Sequence, residues 1–255
     1  MDLTENPDSR ITAAAMDIVE ESRKRGLLLR IMGAVAVRVH CKEFADLHLR
    51  LGRSLSDIDF AAYQKHQDGV SKMMVGLGYE NSNPMSAMYS RHLYLNRASG
   101  HHVDIFFDKL EMCHVIPFAN RLEVDDPTIP LAELLLEKTQ IVKITRKDLD
   151  DLIVLFREHD MGPNDGEKFD QNHIARILAD DWGFYYTVTS NLKRLSDDYI
   201  DKRGVVSGDD VSIVKTRIAK LMGRIENEPK SMRWKMRARV GTKRRWYTEV
   251  ENVVQ

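Results

Sequence analysis

Apolar residues recur at helical spacing along residues 10–25, where Ile11, Ala14, Ala15, Ile18 and Val19 form one stripe and Gly26 supplies a stop. Leu27 to Met32 is a short apolar run that suits a buried strand. Gly33 follows, and Ala34 to Ala45 predicts a second helix. Ile58 to Ala62 predicts another strand, and residues 66–77 a helix closed by Gly76 and Gly78. Residues 89–95 and 102–107 alternate around the turn-rich Asn96–Gly100, the pattern of a β-hairpin. Beyond Pro117 the period changes. Residues 131–145, 147–159, 171–179, 184–195 and 209–225 all predict helices, with Asp125-Asp126-Pro127 and Pro130 marking the change. The expected fold class is α+β: a small mixed sheet flanked by helices over residues 1–125, then a helical half over residues 126–255.

Length and composition narrow the class. The chain has 255 residues, 43% hydrophobic and 30% charged, which excludes collagen-like and disordered chains. The most apolar stretch, Gly26 to Val39, is broken by Arg30 and Arg38 and is not expected to span a bilayer. The start, Met1-Asp2-Leu3-Thr4-Glu5, is acidic with no apolar core behind it, so a secretory signal is not expected. Cys41 and Cys113 have no paired spacing, so free thiols in a reducing cytoplasm are expected. The net charge of −1 conceals an asymmetry. Residues 215–245 carry +10, leaving −11 elsewhere, which favours a polyanionic partner for the C-terminal segment.

The sharpest chemical feature is Ser54-Leu55-Ser56-Asp57-Ile58-Asp59-Phe60. Asp57 and Asp59 lie two apart, so on a strand their carboxylates leave one face. Two such charges repel unless a cation sits between them. Mg²⁺ takes oxygen ligands, commonly carboxylates together with phosphate. Asp104 lies in the apolar strand His102-Val103-Asp104-Ile105-Phe106, where a carboxylate needs a partner, hydrogen bonds or a metal. On neighbouring strands the three would form a carboxylate cup suited to phosphoryl transfer. Otherwise Asp57 caps a helix and Asp104 joins a buried ion pair.

The order Gly33-Ala34, a helix, Arg53-Ser54-Leu55-Ser56-Asp57-Ile58-Asp59-Phe60, then Val103-Asp104-Ile105, resembles the nucleotidyltransferases of the DNA polymerase β type. Within them the chain is most similar to the AbiEii-type enzymes, which include toxins of toxin–antitoxin pairs. Lys138 and Lys147-Asp148-Leu149-Asp150-Asp151-Leu152 match their later elements, and the resemblance covers roughly residues 27–157. It implies that Asp57, Asp59 and Asp104 are catalytic and bind two Mg²⁺ ions. It assigns Gly33, Ala34, Arg53, Ser56 and Lys138 to the NTP, ATP being one such substrate, with an antitoxin protein as a further partner. Ala34 departs from the Gly or Ser usual at that turn.

Alternatives stay open for single residues. Arg53 can reach phosphate or be a surface arginine in a turn. Lys138 can bind phosphate or snorkel from the core. Asp148 and Asp151 can orient Lys138, cap their helix, or pair with Arg146 and Lys147. His101 and His102 point to opposite strand faces, and Cys113-His114 lacks further zinc ligands. At the C-terminal end, Arg233, Trp234, Lys235, Arg237 and Arg239 can hold an RNA (tRNA) acceptor by phosphate contacts and base stacking, or form a solvated helix whose tryptophans pack inward. No membrane partner is expected.

Overall fold

The computed structural model describes residues 7–82 and 90–250. Tyr89, the first residue of the expected strand 89–95, and the N-terminal Met1–Glu5 lie outside them. Two units emerge. The first is drawn from Met1–Lys42, Ser54–Leu110 and Pro117–Pro130, the second from Glu43–Arg53, Glu111–Ile116 and Leu131–Gln255.

The first unit is built on α1 (Pro7–Lys24), β1 (Leu29–Met32), α2 (Gly33–His40), β2 (Ile58–Ala62), α4 (Gln67–Gly76), β3 (Glu80–Asn81), β4 (Arg91–Asn96) and β5 (His101–Phe107). Its strands form a five-stranded sheet in the order β1-β2-β5-β4-β3. The sheet is mixed: β2 runs parallel to β5, while the other neighbours are antiparallel. Alternation decides which side is core. Leu29, Ile31, Ile58, Phe60, Val103, Ile105 and Phe107 share one face by register and are all buried. The opposite face carries Arg30, Met32, Asp59, Asp104, Arg91 and Phe106. At the β1 edge, Ile31 N–H donates to the Pro127 carbonyl and the Ile31 carbonyl accepts from Ile129 N–H, both at 2.9 Å.

The second unit is mainly helical: α3 (Ala45–Leu51), α5 (Leu131–Thr139), α6 (Arg146–Glu158), α7 (Gln171–Asp180), α8 (Trp182–Lys193), α9 (Gly208–Asn227) and α10 (Met232–Val240). Lys109–Glu111 (β6) with Val115–Pro117 (β7), and Met161–Gly162 (β8) with Phe169–Asp170 (β9), make two small two-stranded sheets. The α+β class is therefore as expected, a mixed sheet with helices followed by a helical half.

Several boundaries differ from the sequence reading, for local reasons. The helix expected over Ala34 to Ala45 stops at His40, and a separate α3 follows. Leu47 and Leu51, four apart, are its buried stripe, and Gly52 ends it with φ of 69°. The helix expected to run to residue 145 ends at Thr139, in a stretch rich in β-branched residues. There the Thr139 hydroxyl bonds back to the Leu135 carbonyl at 2.7 Å, and Asn191 donates to the carbonyls of Thr139 and Ile141 at 2.9 Å each. Before α6, Thr145 and Asp148 form a reciprocal capping box. No described helix is long and apolar enough to cross a membrane.

Candidate active site

The carboxylates come first because sheet register places them. Asp59 on β2 is the direct partner of Asp104 on β5, so the two side chains stand next to each other on one face. Met32, the last residue of β1, is paired with Asp59 from the other side. The chain leaving β1 therefore turns over the Asp59 carboxylate at Gly33, whose φ is +68°. A Cβ at Gly33 would overlap Asp59 Oδ2 and lie 3.1 Å from its Cγ. Only glycine meets both demands, the left-handed backbone and the close approach. The helix α2 begins at this residue with no side-chain cap at Met32.

Asp57 lies just before β2 and is half-buried. Its Oδ1 accepts from the Ser56 hydroxyl at 2.6 Å. Asp8 fixes the approach of this loop: its carboxylate accepts from Leu55 N–H at 2.9 Å and pairs with Arg38 of α2 at 2.7 Å. Burial pushes the Asp104 carboxyl above the usual aspartate range. Arg91 pulls it down, and the nearby Asp57 charge pushes it further up. Arg91 on β4 is the ion-pair partner of Asp104, and its guanidinium also lies 5.1 Å from the Phe106 ring centroid. Among the described residues, no three carboxylate, imidazole or thiolate groups stand together in ligand geometry. The donor chemistry nonetheless suits a hard divalent cation: two oxygen donors share a face, and a third charge acts on one of them.

Sequence reasoning missed Arg91. Arg91 is in phase with Leu93, the register partner of Asp104, so strand register brings the two together. That register is fixed only when the hairpin closes.

Arg53 and Lys138 belong to the second unit, where both meet Asp151. The Arg53 guanidinium grips the Asp151 carboxylate at 2.8 and 3.0 Å, and Lys138 Nζ lies 3.1 Å from Asp151 Oδ2. All three are buried. Burial works against the Asp151 charge, yet the Lys138 and Arg53 cations overcome it and hold the carboxyl below its usual value. Burial likewise opposes the Lys138 charge, and Asp151, Glu137 and Asp148 together raise it above the ordinary lysine value. Asp148, the capping residue of α6, stands 3.9 Å from Lys138. Of the alternatives for Asp148 and Asp151, the structure contains both the cap and the lysine partner.

The basic segment divides in two. Arg233, Lys235 and Arg239 on α10 are exposed. Trp234 meets Tyr185 edge-on at 5.2 Å between centroids. Arg237 lies over the Trp182 ring at 4.9 Å and donates to the carbonyls of Gly241 and Arg244. Trp246 donates to Thr187 Oγ1 at 3.1 Å. Both cysteines are buried free thiols. His114 Nε2 sits 2.8 Å from the same Thr187 hydroxyl, and burial pushes its pKa down to about 4 despite an upward pull from Asp181. It stays neutral at physiological pH.

No protein-family model and no curated protein matches the chain. Among solved structures, it is similar to the antibiotic-resistance factor ANT(2'')-Ia, described as having substrate-regulated conformation dynamics. The identity is 10%, covering 86% of this chain and 96% of that one, with a TM-score of 0.38.

Proposed function

We propose that this chain is a metal-dependent nucleotidyltransferase that moves a nucleoside monophosphate from an NTP to an acceptor hydroxyl and releases pyrophosphate. The observation that carries the reading is the in-register pair Asp59–Asp104, with the Gly33 turn closed over Asp59 at the start of α2. Residues 1–125 would form the nucleotidyltransferase core.

Asp57, Asp59 and Asp104 would hold two Mg²⁺ ions, which when bound neutralise phosphate charge and favour the hydroxyl's ionised form. Asp104 would take up the acceptor proton as the general base. The backbone at Gly33 and Ala34 would face the phosphates, where a helix N-terminus favours anions. Ser56 would orient Asp57 through the hydroxyl it donates. Arg53 and Lys138 would have to exchange Asp151 for phosphate before touching the nucleotide. We assign this trio the role of fixing α5 against α6.

The finer reading is an RNA-modifying, toxin-like enzyme of the AbiEii type acting in the cytoplasm, with Arg233, Lys235 and Arg239 on the RNA backbone and an antitoxin as partner. The test is to incubate the full chain with each α-labelled NTP, Mg²⁺ and total RNA, with aminoglycosides as a parallel acceptor set. Label entering RNA supports the finer reading. Label entering only aminoglycosides replaces the acceptor while keeping the reaction. No label in either overturns transferase activity in favour of a nucleotide- or RNA-binding role.

A further inference from the structure

The carboxylate face carries two arginines that the reaction just proposed does not use; Arg30 pairs with Asp126, whereas Arg91 pairs with the proposed catalytic carboxylate Asp104. Arg91 projects from β4 on the same face as Asp104. It is the direct partner of Phe106 and therefore diagonal to Asp104, within reach of a long side chain. Its head is paired with Asp104 while it also lies against the Phe106 ring. Asp104 is its only ion-pair partner among the described residues. The Arg91 side chain is 44% exposed and that of Asp104 17% exposed. The pair therefore sits at the mouth of the carboxylate cluster and not in the core.

A structural ion pair would serve as well anywhere on the sheet. This one neutralises the carboxylate that already feels the charge of Asp57 and stands beside Asp59. Adjacent like charges need a counter-ion, and a monovalent guanidinium competes for that role with a divalent ion. Once released, a half-exposed arginine offers a planar fork of donors that matches phosphate geometry.

Building on the nucleotidyltransferase reading, we propose that Arg91 is the resting counter-ion of Asp104. A divalent cation displaces it, and it then positions a phosphate of the incoming NTP. Arg91 is thus a positioning residue that couples loading of the carboxylate cluster to nucleotide seating.

The test measures Mn²⁺ binding to the full chain by calorimetry, without nucleotide, in wild type, Arg91→Gln, Arg91→Lys and Asp104→Asn. Removing the competing cation should make Arg91→Gln bind Mn²⁺ about two- to fivefold more tightly, the range expected for a partly exposed ion pair. Arg91→Lys keeps a cation and should stay near wild type for Mn²⁺. Both Arg91 variants should raise the KM for Mn²⁺–NTP, because neither keeps the planar fork. Mn²⁺ binding in Arg91→Gln equal to or weaker than wild type, alongside weakened binding in Asp104→Asn, would overturn the counter-ion role and leave the nucleotidyltransferase reading standing. Undiminished binding in Asp104→Asn would instead remove Asp104 from the metal site, and both readings would fall.

Discussion

At Gly33 the absence of one carbon atom decides what the turn can do. Its φ of +68° costs an ordinary residue about 1–2 kcal/mol, and its Cβ would run into the Asp59 carboxylate. Gly33→Ala should therefore lower the melting temperature and, by pushing Asp59 aside, reduce transfer activity by more than tenfold. A variant with unchanged melting temperature and activity within about twofold of wild type would show that the turn does not press on Asp59. The Gly33 turn between strand and helix, and the strand positions of Asp59 and Asp104, were legible in the sequence because these are local signals; Asp57, expected on the same strand as Asp59, instead precedes β2. The Arg91 contact was not legible. It depends on the register of two strands, which no single segment encodes.

At the scale of elements, the Arg53–Asp151–Lys138 cluster links α5, α6 and the segment after α3 inside the second unit. Asp151 neutralises two buried cations at once, so Asp151→Asn leaves both short of a partner. Breaking a buried pair in this way typically costs about 3–5 kcal/mol. The pH dependence has a definite sign. Asp151 lies below its ordinary value when folded, so its stabilising contribution is present in full above the unfolded carboxylate pKa of about 3.9. The contribution is lost as pH falls through the lowered folded value. Urea melts of wild type should begin to lose that contribution between pH 6 and pH 3, while Asp151→Asn, already weakened, should have a flatter acid limb. Equal stability of the two proteins at pH 6 would contradict the role given to Asp151. Helix periodicity located α6 well. The burial of its Asp151 was hidden, because a charged residue on a helix reads as solvent-facing unless its partners are known, and Arg53 is 98 residues away. The end of α5 at Thr139 was hidden for a related reason: the side chain that caps it, Asn191, comes from α8.

Across the whole molecule, the sequence asymmetry of +10 over residues 215–245 against −11 elsewhere separates a carboxylate-bearing sheet from a basic C-terminal segment. Part of that segment is spent internally. Arg237 holds carbonyls and a tryptophan face, while Arg233, Lys235, Arg239, Lys243 and Arg244 are exposed. Composition located the charge, but packing determined which of those residues face solvent. The central claim concerns the other end of the asymmetry, that Asp59 and Asp104 form one catalytic face. It is tested most directly by pyrophosphate release from each of the four NTPs in the presence of total RNA and aminoglycosides. Wild type should release pyrophosphate only when Mg²⁺ is supplied. Asp59→Asn and Asp104→Asn should each fall by about 100-fold or more, the usual cost of losing a catalytic group, while retaining wild-type circular dichroism. Release in either variant within about threefold of wild type, or none from wild type with any NTP, would contradict it.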